Sequence, residues 1–534
     1  MSTPAPQQRA PKSGEKTPAK NGATGPETLD PEAAAVAAKK KAALGTLRDF
    51  AIALVVLGGI VALYAKHVAT QRQVHTLAKQ AQTAMGKDNL KTYLAAEALF
   101  DQALDLNGSD AYALSAQALN EVILSTEGGL ADRAPKAAAL LSQIDEKKLP
   151  TAERFAASGL NAAATGHAAD GEALLVSTLK DSGNVAAVVD ALAWDLRAQG
   201  KLSEARFQFK KAAEADWRAP RYAADLATAF LEDGDYLNAS LFFDKALVAN
   251  SDHLRSMVGK ALASIARNER LAESGKALED VLSRPLGTEL SVPLKARALA
   301  ARAALDAATG KPGLADADAA LAANPKEPLV HQIRGVLLAR AHQVAGFDEL
   351  EQSVKQDPYV PSAYFDGAVA LMDGGFPDKA IALLNEAATH LKDSARYHLA
   401  FGRLLSRKGD LDAAAKQLDK ALELDGASAD ALYEKGRILV QKNDAKAAAA
   451  LFEKAVSARD QFPEAYQQLA YLYLGVKDVK GALDMFKESM VRYKRQGATS
   501  DQMDAFYADL TTRMTKAGQG KLARQFVDEA RKLK

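Results

Sequence analysis

The residues most able to do chemistry in this chain are its eight histidines: His67, His75, His167, His253, His331, His342, His390 and His398. None stands in an HExxH pair or another metal-ligand spacing. His390 and His398 are the closest pair in the interior of the chain, and ordinary surface histidines account for them. A nucleophilic Ser-x-x-Lys occurs at Ser177–Lys180, "STLK", without the companion motifs that such chemistry needs. "SGKA" at Ser274–Ala277 lacks the preceding glycine and following hydroxyl of a phosphate-cradling loop. No glycine-rich strand-to-helix turn is present. Convergent catalytic groups are therefore missing, and no enzyme, cofactor or metal site is expected.

Composition narrows the classes further. The chain has 534 residues, too many for one compact core, and is rich in Ala and Leu with 6% aromatics, which favours helices. Lys and Arg (68) nearly cancel Asp and Glu (67), so the footprint of a nucleic-acid binder is absent. With no cysteine, disulfides and thiolate metal sites are excluded; the compartment stays open.

Residues 1–30 are rich in Pro, Ser, Thr, Gly and Lys and poor in aliphatic side chains, which predicts disorder. Asp30 and Pro31 then offer an N-cap and a first helical position, opening a short basic juxtamembrane helix over 31–48 with Lys39, Lys40 and Lys41. "FAIALVVLGGIVALYA", Phe50 to Ala65, carries no charge. Flanking Arg48 and Lys66 can snorkel, and Tyr64 sits where an interfacial aromatic belongs, so 49–69 is expected to anchor the chain in a membrane. The preceding stretch is too long for a signal peptide, and "ALYAKHVAT" has no clean cleavage site. Positive charge before the span predicts a cytoplasmic N-terminus and an extracytoplasmic bulk. Gly58 and Ala62 form a small-xxx-small pair through which a homodimer could form.

From about Val74 the chain repeats. Gly436, Ala448, Phe452 and Ala455 recur 34 residues earlier as Gly402, Ala414, Leu418 and Ala421. A further step back gives Ala368, Ala380, Leu384 and Ala387; a step forward gives Ala470, Ala482, Phe486 and Ser489. An upstream pair keeps the same phase, with Ala193, Gly200, Ala205, Phe209 and Ala212 matching Ala227, Gly234, Ala239, Phe243 and Ala246. Each unit reads as helix, turn, helix, with "KGD", "KND" or "DGD" where the first helix stops. Small residues fall where helices approach closely, and the Phe or Leu fills the space between units.

This pattern resembles the tetratricopeptide repeat, most clearly at Leu226-Ala227, Phe230, Gly234, Tyr236, Ala239, Phe243 and Ala246, and again at Tyr466, Leu469, Tyr473, Ala482 and Phe486. Pro325 and Pro358 supply its helix-ending proline. The resemblance covers about 85% of the chain and implies an all-α, right-handed α-solenoid of about thirteen helical pairs. Irregular repeats are expected over 74–185, two regular ones over 186–253, divergent ones over 254–326, an array over 327–496 whose four in-phase units span 361–496, and capping helices over 497–534. "ILSTEGGLADRAPK" and "VLSRPLGTELSVP" read as longer connections.

The resemblance also implies where a ligand binds, because the first helix of each pair lines a concave groove in that family. Carried onto this sequence, the groove positions include Phe365, Arg396, Arg403, Arg407, Tyr433, Arg437 and Tyr471 downstream, and Trp194, Arg197 and Arg221 upstream. Arg and Tyr are enriched at binding hot spots, and Arg suits bidentate capture of carboxylates. Two readings stand for residues 361–475: they hold an extended acidic peptide or helix, or the arginines pair with neighbouring Asp and Glu on a solvated face. Family members that clamp chaperone C-termini use Asn at the ninth position of the unit. Here Val369, Arg403, Arg437 and Tyr471 stand there, against that ligand. The implied function is a scaffold anchored in the bacterial inner membrane, its repeats in the periplasm, serving secretion, motility or wall assembly. The alternative is a chaperone-like adjunct of the secretion channel.

Overall fold

The computed structural model describes residues 30–144, 151–392, 394–495, 498 and 500–532. The tail expected to be disordered lies, up to residue 29, outside the described residues. The described residues hold 26 helices, and the only β pairing among them is an isolated bridge between Leu286 and Leu290. The chain divides into two units, Met1–Gln71 and Arg72–Lys534.

The described part of the first unit is helical. One unbroken helix, Pro31–Met85, starts where Asp30 accepts from the Glu32 amide at 3.1 Å and continues into the second unit. The short basic helix and the apolar stretch read separately from sequence are therefore parts of one element. Ala, Leu and Lys hold the helix through Gly45, Gly58 and Gly59, and no proline interrupts it. The apolar stretch is long and apolar enough to cross a membrane, and none of it is buried within the chain. Phe50, Val55, Leu63 and Tyr64 are all exposed.

The second unit is an α-solenoid. Consecutive helices pack as hairpins, and the first helices of successive hairpins also pack on one another, as Ala152–Thr165 does on Ala186–Ala198 and Pro328–Arg340 on Pro361–Asp373. The repeated small and large residues are its packing core. Ala380, Ala414, Ala448 and Ala482, with Leu384, Leu418, Phe452 and Phe486, are wholly inaccessible to solvent. Gly436 is small for a definite reason: a Cβ there would lie 2.6 Å from the Phe452 ring. Leu418 imposes the same limit on Gly402, at 2.8 Å.

The turns of the regular units share one device. A residue in the left-handed region ends the first helix, and in most of them the next residue is an Asp that caps the second; Gly200 and Gly375 are instead followed by Lys201 and Phe376, which make no side-chain cap. Gly409 (φ 92°) is followed by Asp410, whose carboxylate accepts from the Ala413 amide at 3.1 Å. Asn443 (φ 64°) is followed by Asp444, which accepts from Ala447 at 3.0 Å. In the next unit Lys477 takes this conformation (φ 64°) without the freedom of Gly or the local hydrogen bonding of Asn.

The irregular stretches of the second unit serve a different purpose. Residues separated by 160 to 167 positions meet: Arg197 with Asp357, Arg255 with Asp88, Ser291 with the Glu127 carbonyl, and Arg396 with Asp233. That interval is about five hairpins, so the coil of repeats returns onto itself. The two long connections are the seam. A Cβ on Gly129 would lie 2.7 Å from Pro293, and the Ser291 hydroxyl donates to the Glu127 carbonyl at 3.2 Å.

Candidate functional site: two stretches of inner groove

The groove positions divide into two environments. Upstream, Arg221 lies at the start of the helix Pro220–Asp233 with its side chain 11% exposed. It reaches Glu127 at 2.8 Å, Asp88 and Asp190 at 3.5 Å, and Asp225 at 3.6 Å. Arg255 donates to Asp225 at 2.5 Å and to Asp88 at 3.0 Å. His253 Nε2 lies 2.8 Å from Asp88, its Nδ1 lies 2.7 Å from the Ser256 hydroxyl, and the Tyr93 hydroxyl donates to Asp88. Burial pushes the Asp88 carboxyl up, but Arg255, His253 and Arg221 together hold it well below the usual range. Asp190 goes the other way: burial and the adjacent Asp225 carboxylate raise it well above that range. Four acidic residues thus enclose two guanidiniums, and the two shifts oppose each other because Asp88 faces cations while Asp190 faces another carboxylate.

Trp194 and Arg197 belong to the same sealed stretch. The Trp194 ring meets Phe209 edge-on at 5.2 Å. Arg197 is 12% exposed, donates to both oxygens of Glu232 at 2.7 and 2.8 Å, and reaches Asp357 at 2.7 Å. These three groove residues are committed to contacts within the chain. Sequence spacing put them on the right face; it could not show that a later stretch returns to cover it.

Downstream, the groove is open. Arg403, Arg407 and Arg437 are 41%, 50% and 48% exposed. Arg403 donates to Glu434 at 2.9 Å and to Asp430 at 3.0 Å. Arg437 donates to the same Glu434 at 3.1 Å, and Arg459 to the same Asp430 at 2.8 Å. Burial raises the Asp430 carboxyl, but Arg403 and Arg459 outweigh it and hold it below its ordinary value. Three guanidiniums therefore share two carboxylates on a half-exposed surface. Arg407 pairs alone with Asp373 at 2.7 Å.

The downstream aromatics frame that cluster. Tyr433 packs between Phe452 and Phe462, with ring centroids at 5.6 and 4.9 Å, and the Arg437 guanidinium stands 6.0 Å from its ring. Tyr471 donates its hydroxyl to Asp509 and has Arg513 stacked 3.8 Å from its ring centroid. Phe365 is partly buried against the core around Tyr364 and Leu383. Arg396 does not join the group; it donates to Asp233 at 3.2 Å and to the Gly234 carbonyl at 2.8 Å, bracing two layers of the coil. Sequence reasoning missed Arg459, which caps the end of the second helix Ala445–Ala458, outside the positions that line the groove in regular repeats.

The other motifs are structural. Ser177 donates to the Leu174 carbonyl within the helix Ala168–Ser182, and Ser274 is buried inside the helix Leu271–Ser283. His398 spans Gln417 at 2.7 Å and the Lys392 carbonyl at 2.8 Å, while His390 packs edge-on against Tyr359.

A coil of helical hairpins with a partly open inner face defines a repeat protein of the kind that binds other chains along its groove. The family model described as "Tetratricopeptide repeat" matches residues 399–466, the stretch that holds Arg403, Arg437 and Arg459. That stretch of the chain is a tetratricopeptide-repeat segment. No curated protein matches it. Among solved structures, yeast Tom70 is 17% identical, with 85% of this chain and 97% of that one covered and a TM-score of 0.40. Cut9–Hcn1 of the APC/C is 14% identical, with coverage of 88% and 94% and a TM-score of 0.35. MamA from Desulfovibrio magneticus is 22% identical, with coverage of 32% and 92% and a TM-score of 0.27.

Proposed function

We propose that this protein is a non-enzymatic scaffold whose downstream groove, over residues 361–475, captures an extended acidic peptide or helix of a partner protein. The observation that carries the reading is the sharing of Asp430 and Glu434 among Arg403, Arg437 and Arg459. A guanidinium that shares its carboxylates on a half-exposed surface gains from a further carboxylate, and the neighbouring, partly exposed Tyr433 supplies rigid aromatic contact beside it. The upstream groove cannot serve, because its arginines are buried against their own carboxylates.

The reading includes a single span at 49–69 that holds the repeats at a bacterial inner membrane, on the periplasmic side, for secretion, motility or wall assembly. Support for the span is the exposed apolar face of the helix Pro31–Met85. Protease added to spheroplasts should degrade the repeats; protection of them would reverse the orientation. For the groove, a photo-crosslinking amino acid at Tyr433 should capture one partner at fixed stoichiometry. Arg403→Glu combined with Arg437→Glu should abolish that capture, and unchanged capture would overturn the acidic-ligand reading. Crosslinks to many transient chains would identify a chaperone-like adjunct instead.

A further inference from the structure

Between the layers of the coil lies a cavity of about 270 Å³ that the peptide-binding reading does not use. Its walls are mainly aliphatic, with Leu231, Leu262, Ile265, Ala304, Ile333 and Leu337 contributed by four successive first helices. It adjoins a second cavity of about 360 Å³ and shares Leu231, Leu262, Leu329, Gln332 and Ser362 with it. Few polar groups line the smaller cavity, and most are already engaged. Tyr236 donates its hydroxyl to Asp366, and Gln332 donates to the Ser362 hydroxyl at 3.4 Å. The exception is Arg340, in the last turn of the helix Pro328–Arg340. It is exposed, lines the cavity, and makes no ion pair or side-chain hydrogen bond among the described residues; its charge acts at longer range on the Asp366 carboxyl of the same wall, which is already held by Tyr236.

An apolar slot with one unpaired cation selects a ligand with one apolar tail and one anionic head. A polypeptide main chain is a poor occupant, because each inserted residue brings an amide N–H and a carbonyl that this wall leaves unpaired. An alkyl chain brings none. Apolar protein cavities of about 150 Å³ hold a six-carbon ring, so this one has room for a chain of roughly twice that carbon count. We infer that the cavity between the coil layers binds a medium-chain fatty carboxylate, with its tail among Leu262, Ile333 and Leu337 and its carboxylate on Arg340. The pair is charge-assisted and sits at the exposed end, where the head group keeps part of its hydration. The site is separate from the downstream arginine cluster, and the loss of either leaves the other testable.

The experiment uses the full-length chain in lipid nanodiscs with a dodecanoate carrying a mid-chain diazirine. After irradiation, mass spectrometry should place the label on Leu262, Ile333, Leu337 or their cavity neighbours. Labelling there should fall at least tenfold in Arg340→Ala and persist in Arg340→Lys. Competition by unlabelled carboxylates should strengthen roughly fourfold per added methylene until the slot is full. Ile333→Trp, which occupies the slot, should remove the label. Because this variant could also disturb packing, Arg340→Ala at the exposed end carries the decision. Label confined to residues 50–69 or scattered over the solenoid would overturn the site. So would labelling that is unchanged in Arg340→Ala, or equal capture of the neutral alcohol of the same length. Displacement of the probe by an apolar peptide whose amides become protected from exchange would place a polypeptide there and also overturn it.

Discussion

Arg221 and Arg403 both stand on the first helices of their hairpins, and they do opposite things. Arg221 is 11% exposed and surrounded by Glu127, Asp88, Asp190 and Asp225. Arg403 is 41% exposed and shares its two carboxylates with two other arginines. The hairpins are alike; what differs is the neighbour across the groove. Upstream, the turn at Asp88 and the long connections near Gly129 and Pro293 close over the arginines and make that face an internal joint. Downstream, no such closure among the described residues reaches Arg403 or Arg437, which stay 41% and 48% exposed. A repeat groove is therefore a set of positions, and the return of the coil decides which of them are glue.

The largest effect should come from breaking the joint. Arg255→Ala leaves Asp88 and Asp225 facing one guanidinium fewer inside a sealed cluster. Removing one partner of a buried ion pair costs about 3–5 kcal/mol. Hydrogen exchange should show the loss as deprotection of Leu90–Leu106 and Pro220–Asp233 together, since the cluster ties these distant helices. Deprotection limited to the helix Leu254–Ala266 would mean that the joint is not what couples the layers.

A second upstream group should respond in the opposite direction. Asp195 is fully buried, neither carboxylate oxygen has a hydrogen-bond partner among the described residues, and Gly159 and Gly171 leave room for it. Burial, with help from Glu172, pushes its carboxyl up to about 8. The unfolded chain releases this proton near pH 4 and the folded chain only near 8, so rising pH favours the unfolded state across that window. Asp195→Asn should stabilise the upstream repeats by about 2–4 kcal/mol at pH 7. The advantage should close below pH 4, where the carboxyl is neutral in both states. A difference between wild type and variant that is flat from pH 4 to 8 would refute the assignment.

Much of this fold is legible in the sequence because its causes are local and periodic. Ala448, Phe452 and Gly436 recur at 34 residues since each hairpin must solve one packing problem, and the solution repeats with it. The same period places Arg197, Arg221, Arg403 and Arg437 on the first helices of their hairpins. The fate of each arginine is not legible in the sequence. Arg197 meets Asp357 160 residues away, a contact set by the accumulated twist of about five hairpins. No short-range pattern encodes that sum. The same holds for the cavity beside Arg340, whose walls come from helices between Leu231 and Val369.

Within the downstream array, Lys477 tests whether the turns there are as well adapted as their neighbours. It occupies the left-handed turn position that Gly409 and Asn443 fill in the two preceding units. Lys477→Gly should stabilise the protein by about 1 kcal/mol, read from the urea midpoint, because a Cβ in that conformation is penalised. A loss of stability would show that the lysine side chain makes up for its backbone.

The smallest change in stability and the sharpest contrast should come from Arg403→Ala. Its pairs with Glu434 and Asp430 are 41% exposed at the arginine end, and such pairs contribute about 0–1 kcal/mol. Glu434 and Asp430 also keep Arg437 and Arg459, so neither carboxylate is left alone. The variant should unfold within 1 kcal/mol of wild type. If the downstream cluster is a docking face, partner capture should still fall about tenfold or more, as expected when a hot-spot arginine is truncated. A variant that unfolds several kcal/mol earlier would instead put Arg403 in the same class as Arg255. The downstream groove would then be a second joint, and the contrast between the two stretches would disappear.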